Sequence, residues 1–528
     1  MPTPKFTPGA QLIPLAFSRA SFNGLSTELS GNILGQEWAT KLENAVFDAT
    51  GRPAARKGWG SITTTPGSGI VMRVFEYYKA DGTSDIIFST DANIYRDTTT
   101  PSAIEGSLTI SDGNIKFANF NDKCIAFGIG TGGIPAVKTT GNFADITVNS
   151  GTAPTGTIGM AAYGRLWAFD TDGKTLRVSA LLDETRWATA DDGFSVDFGK
   201  VWPEGQDSAV AIEALSGDVV VFGKHSTVIL SDGQASSIGI DPTTLYVSDT
   251  IPGLGAVSQF AITKALGDLI VLTPFGIVSL KREIQFKSTP LTNLSQHVQS
   301  GVVGATQAMA DVNDITLTYS PQDSLLLAIF PDADTVYAFD TRMPMQDGTF
   351  RATSWSTTLQ TATYSRYDEN FRGSLTGTVG EVMSYTGHND DGTEFYFDYE
   401  SGWLDLGEQM NSYLKFVKRL TSFVFITQNT TVTHKVYYDF ANDTYTLDKS
   451  AIAAGIAEYG PQVTNGNTAE YSADNSYEYG GGVTLRTLDA SLGGGGQYIK
   501  IGVRLNTNSG NFVLQQINLY AKVGRLAS

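Results

Sequence analysis

The sequence predicts an all-β fold: a β-propeller of six or seven blades, with a further β-rich domain assembled from both ends of the chain. The first observation behind this is a recurring hairpin. Asp218-Val219-Val220-Val221-Phe222 with Val228-Ile229-Leu230, and Asp268-Leu269-Ile270-Val271-Leu272 with Ile277-Val278-Ser279-Leu280, align without a gap at a separation of 50 residues. Looser copies begin at Ile86, Ile125, Leu166 and Leu325, and a weaker one pairs Gly373-Ser374-Leu375 with Val382-Met383-Ser384-Tyr385. The second observation is spacing. From Ile86 through Ile125, Leu166, Val219, Leu269 and Leu325 the apolar runs recur at 39, 41, 53, 50 and 56 residues, close to the roughly 40–50 residues of a four-stranded blade. The third is composition: 56 glycines, only 17% charged residues and many Asp-Gly and Asn-Gly pairs supply the turns of an all-β chain. A large β-sandwich is the competing arrangement. One blade cannot bury both its faces, whereas blades stacked around an axis can, with little free edge.

Taken in order, residues 1–60 do not repeat. Gln11–Phe17 reads as a strand and Glu37–Val46 as a helix, and six cationic side chains outnumber four acidic ones here. Residues 61–387 carry the repeats. Their continuous apolar runs suit inner strands covered on both faces, and the partner strands alternate as half-exposed strands do. Asp183–Trp187 reads as a single helical turn.

Residues 388–528 form the remaining domain. Strands at Leu414–Val417, Thr421–Thr427 and Thr431–Tyr438 lead into a polar excursion, residues 439–489, with eight acidic and two basic side chains. Its few large aliphatics cannot make a core, so it is either a loop or an extended hairpin supported by its own copies in a ring. Two strands close the chain, Gln497–Leu505 and Phe512–Lys522, joined by the turn sequence Asn508-Ser509-Gly510.

The net charge of −18 argues against a general nucleic-acid binder, which carries a basic patch. It is compatible with a channel through which DNA slides: cationic grips on phosphates add affinity, and an acidic wall repels the polymer. Plain solubility accounts for the same acidity. No run approaches the roughly 20 apolar residues of a membrane span, and Met1–Pro8 lacks the charged-then-apolar layout of a secretion signal. Cys124 is the single cysteine and falls in an expected strand, so it reads as a buried structural thiol.

No catalytic constellation emerges. His225, His297, His388 and His434 are scattered, without partners at metal-ligand spacing. The glycine runs at Gly480–Gly482 and Gly493–Gly496 lack the Lys-Ser/Thr of a phosphate-binding loop. Asp170-Thr171-Asp172-Gly173 opens like a calcium loop but lacks the later glycine and glutamate, so it reads as a hairpin turn. Asp-box turns of the sialidase type are absent and arginines are dispersed. A non-enzymatic protein without cofactor or metal is expected.

Three segments together resemble the tail nozzle proteins, or tail tubular proteins B, of short-tailed bacteriophages. They are Asn44-Ala45-Val46-Phe47-Asp48 with Gly51 and Arg56-Lys57-Gly58; the stretch from Ser179 and Trp187 through Asp218–Gly223 to Gly253-Leu254-Gly255 and Leu272–Ile277; and the closing strands ending Ala521-Lys522-Val523-Gly524-Arg525. The tract 439–489 matches nothing in that pattern. The resemblance implies a virion protein of the tail. Six copies would form a ring whose axial channel retains double-stranded DNA and conducts it, without sequence-specific binding, during ejection. It implies a platform docked on an adaptor or portal, a propeller on the outside, and a tail fibre or spike at the side. Residues 1–60 and 388–528 would then make the platform and nozzle. Arg52, Arg56 and Lys57 are candidates for the adaptor contact, and Asp443, Asp448, Glu458, Glu470, Asp474 and Glu478 for the lumen or gate. The alternative is a receptor- or carbohydrate-binding propeller, which 22 tyrosines and 7 tryptophans permit; a hydrolase on a propeller comes third.

Overall fold

The computed structural model describes residues 12–18, 22–96, 99–203, 205, 207–233, 239–285, 293–406, 412–441, 443–453, 484–507 and 510–526. They fall into two compact units. One comprises Ser61–Phe350 and Thr357–Tyr385; the other comprises Met1–Gly60, Arg351–Ser356 and Thr386–Ser528.

The first unit is a β-propeller of seven blades. Its innermost strands are Val71–Tyr78, Phe117–Phe120, Gly159–Ala162, Ala209–Leu215, Ile262–Ala265, Thr316–Ser320 and Leu359–Ser365. Each runs antiparallel to the strand that follows it. The apolar runs seen in the sequence occupy these second strands rather than the innermost ones. Val219–Phe222 and Leu325–Phe330 are wholly buried, because a second strand is covered on both faces by the blades beside it. The strand lining the axis meets more polar surroundings and alternates. The core therefore lies in slabs between blades: Trp167, Phe169 and Leu176 pack on Val219, Val221 and Val228, and Val220, Phe222 and Ile229 pack on Leu269, Val271 and Val278. The weak seventh copy is a true blade, with Asn370–Leu375 paired to Met383–Tyr385.

Residues ahead of the first blade close the ring on the last. Ile62 N–H donates to Val382 O at 3.1 Å, and Gly67 N–H to Gly380 O at 3.0 Å. Gly380 has φ +64°, and a Cβ there would meet Gly67 backbone at 2.3 Å, so only glycine allows the approach. Glu76 on the first blade adds a second clasp. It accepts hydrogen bonds from Ser365 Oγ (2.8 Å), Arg366 N (2.7 Å) and Tyr367 N (3.2 Å) on the seventh blade.

The second unit is built of two sheets. In one, Tyr413–Ile426 and Phe512–Leu526 form a long antiparallel pair, flanked by Thr484–Ala490 and by Leu12–Phe17. In the other, Trp38–Glu43, Tyr396–Ser401, Ile499–Asn506, Thr430–Tyr438 and Thr444–Ala451 follow in order. Arg351–Ser356 lies within the stretch expected for the propeller, yet it joins this sheet, parallel to Trp38–Glu43. Thr353 Oγ1 and Trp355 Nε1 both donate to Ala45 O, at 2.7 and 2.8 Å.

Several sequence expectations are corrected here. Glu37–Val46 is not helical. Its two strands, Trp38–Glu43 and Ala45–Phe47, are separated by Asn44 at φ +52°. A register shift between Ala39 and Lys41 puts Ala39 and Leu42 on one buried face, which copies helical spacing inside a bulged strand. Asp183–Trp187 is a turn, with Thr185 N–H donating to Asp183 Oδ1. The closing strands do not form a hairpin with each other, because Ile499–Asn506 joins one sheet and Phe512–Leu526 the other. Two helices were not foreseen, Leu280–Gln285 and Gln299–Ala308.

Candidate functional site

The cationic N-terminal cluster separates into three different environments. Arg52 donates from Nε to Asp48 Oδ2 at 2.8 Å and its guanidinium lies 4.9 Å from the Phe425 ring centroid. Arg56 has no exposed surface. Its guanidinium stacks 3.8 Å from the Phe395 ring centroid and is engaged by Asp390. Arg56 is thus a core cation and cannot serve as the expected adaptor contact. Lys57 is exposed. Of the expected lumen residues, Asp443 and Asp448 are exposed, the latter accepting from Thr433 Oγ1 at 2.7 Å on the terminal strand Thr444–Ala451. Glu458, Glu470, Asp474 and Glu478 lie outside the described residues.

The same unit presents a groove of about 510 Å³ and mixed polarity, where Ile13, Leu15, Ile33 and Trp403 stand beside Asn32, Gln36 and Asp405. It adjoins Leu12–Phe17, whose outer edge pairs with no strand among the described residues. Leu12, Leu29 and Ile33 are exposed, Ile33 by 70%. An unpaired strand edge is a template for pairing.

A buried charge ladder, which the sequence did not reveal, ties the second sheet together. Lys435 Nζ contacts Asp398 Oδ1 at 2.7 Å and Glu400 Oε1 at 3.2 Å, while Lys500 reaches Glu400 Oε2 at 2.6 Å. Burial opposes charge on Glu400, but Lys500, Tyr437 and Lys435 together hold its carboxyl below the ordinary range. These residues alternate along their strands like ordinary polar positions, so nothing local distinguishes them.

Cross-ring clasps span the propeller axis. Arg73 crosses from the first blade to Thr316 Oγ1 (2.5 Å) and the Phe260 ring (3.8 Å). Glu213 joins Lys116 at 3.0 Å and Lys264 at 3.2 Å. Between these groups lies a cavity of about 240 Å³, too small for a polymer.

None of the His, Cys, Asp and Glu side chains among the described residues forms a group of three or more able to hold a metal. Ser422 Oγ and His434 Nε2 stand 2.8 Å apart, but both are fully buried and no carboxylate orients the ring. Burial holds that imidazole neutral, its pKa pushed down to about 4. Asp170 and Asp172 serve the hairpin turn instead of a cation. Asp172 accepts from the N–H groups of Lys174 and Thr175, and Asp170 from Arg177 Nε.

No protein-family model matches the chain, and no curated protein matches it. Among solved structures it is similar to the WD40 domain of Neurospora crassa Pan2, at 8% identity and TM-score 0.39, over 62% of this chain and 96% of that one. It is also similar to PorZ, a surface component of the Porphyromonas gingivalis type-IX secretion system, at 10% identity and TM-score 0.33, over 62% of this chain and 37% of that one. Kluyveromyces lactis Hsv2 is similar at 10% identity and TM-score 0.31, over 54% and 98%. The propeller itself is established by its seven antiparallel blades.

Proposed function

We propose that this chain is a structural subunit of a short phage tail, one wedge of a ring whose channel retains and conducts DNA. The sequence resemblance to tail nozzle proteins supplies the assembly, and the groove beside Leu12–Phe17, whose outer edge is unpaired among the described residues, carries the reading. Its occupant is a second copy of the chain. A ring requires a heterologous interface that closes by rotation, and the charge distribution suits one. Residues 1–60 carry six cations, five once the buried Arg56 is set aside, against four acids, while residues 439–489 carry two against eight. In a head-to-tail contact, the excursion of one copy complements the N-terminal segment of the next. Six copies, an adaptor or portal above and a fibre or spike at the side follow from the resemblance.

Light scattering and negative-stain imaging of the full chain, alone and with the adaptor, test this. A six-fold ring with a central hole is expected. Ile33→Asp, which alters a side chain already in water, should leave the thermal transition in place and abolish the ring. A monomer under all these conditions, or a ring indifferent to Ile33→Asp, rejects the interface.

A further inference from the structure

A second cavity, of about 480 Å³, opens on the propeller between its first two blades. Its chemistry is unusual for so acidic a chain. Lys138 ends the third strand of the second blade, Ala136–Lys138, and is 1% exposed. Its ammonium donates only to Thr139 O, at 3.3 Å, and no carboxylate lies within ion-pair distance among the described residues. Arg96, on the same cavity wall, is held in its sheet through its backbone, but its guanidinium has no hydrogen-bond or ion-pair partner among the described residues. Asp85 is committed through Oδ1 to Lys79 at 2.8 Å, and its Oδ2 is buried without a hydrogen-bond partner. Lys123 is likewise committed, to Glu184 at 2.5 Å. Asp81 and Asp122 stand at exposed turns, where they accept from Thr83 N and Ala80 N.

A buried cation without a counter-ion is costly and calls for compensation. Burial and the neighbouring Arg96 push the Lys138 pKa down against the pull of Asp85, and an incoming anion would oppose that shift. Arginine recognises carboxylates through two parallel hydrogen bonds. The orphaned Asp85 oxygen is an acceptor that asks for a hydroxyl donor. The Tyr77 ring, 2% exposed, lies with its centroid 5.7 Å from the Lys138 ammonium, and the volume falls within the range of small-molecule sites.

We propose that this cavity binds a carboxylated sugar residue, its carboxylate held between Lys138 and Arg96 and a hydroxyl donated to Asp85. The site belongs to the propeller alone and does not depend on ring assembly, so either reading can fail without the other. Calorimetric titration of the full chain with sodium glucuronate, glucose and sodium acetate tests it. Glucuronate should bind at least tenfold more tightly than glucose or acetate. Arg96→Gln should weaken glucuronate at least tenfold, and Lys138→Met should abolish its binding while leaving the thermal transition no lower than in the parent. Equal affinity for acetate and glucuronate would mean anion capture without sugar recognition and overturns the proposal. So does glucuronate binding that survives both substitutions, or no glucuronate binding at all.

Discussion

Arg56 and Asp390, 334 residues apart, form a two-pronged ion pair: Nη1 donates to Oδ1 at 2.8 Å and Nη2 to Oδ2 at 2.6 Å. Arg56 Nε also donates to Asn44 Oδ1 and Nη1 to Lys57 O, both at 3.0 Å, so four fixed acceptor atoms receive a guanidinium that has no contact with water. The pair joins the two terminal segments that make one unit of the fold. Removing one partner of a buried pair leaves the other uncompensated, at about 3–5 kcal/mol. Asp390→Asn should therefore lower the stability of the full chain by about 3 kcal/mol. Arg56→Met should cost less, because Asp390 retains some access to water and can rehydrate. Urea unfolding of both variants checks the order, and a smaller loss for Asp390→Asn contradicts it.

Glu76 gathers donors from the seventh blade, and Ser84 Oγ adds another from its own blade at 3.1 Å. Charge-assisted hydrogen bonds lose about 1.5–3 kcal/mol each when broken. Glu76→Ala should lower the propeller transition by several degrees and speed hydrogen exchange at Arg366 and Tyr367 first. Uniform exchange across all seven blades would show that Glu76 is not a closing clasp.

His434 sets a pH window. Its pKa is pushed down to about 4 by burial, against 6.5 for the free group. Between those values the unfolded chain binds a proton that the folded chain does not, so stability is complete above pH 6.5 and declines as pH falls toward 4. At ~1.4 kcal/mol per pKa unit the loss is ~3 kcal/mol. His434→Gln should reduce the slope of stability against pH between 6.5 and 4, read by urea unfolding, with His388, also depressed by burial, leaving a residual slope. The depressed carboxyls of Glu213 and Glu400 titrate below their ordinary value of 4.5, outside most of that window.

Cys124, on the second blade, is fully buried against Tyr77, Ile87 and Ile94 of the first, and burial pushes its thiol pKa upward. Thiolate is the reactive form, so the native protein should resist dithionitrobenzoate for hours and release one equivalent in denaturant. Labelling of the native chain within minutes would contradict the buried position.

Much of the propeller was legible because a second strand covered on both faces must be apolar throughout, and Val219–Phe222 and Leu269–Leu272 repeat that requirement at a fixed interval. The turns were legible for a related reason, since Asp172-Gly173 satisfies its own backbone locally. The candidate site was less so. Arg52, Arg56 and Lys57 look alike in the chain, and only the positions of Phe425, Phe395 and Asp390 separate a half-buried cation, a core cation and an exposed one. Local pattern thus determined which segments become blades. Tertiary structure decided which sheet each terminal strand joins, that Ala39 and Leu42 share a face through a bulge, and that Lys138 lies buried without a counter-ion. Those outcomes depend on neighbours tens to hundreds of residues away, whose approach no periodicity encodes.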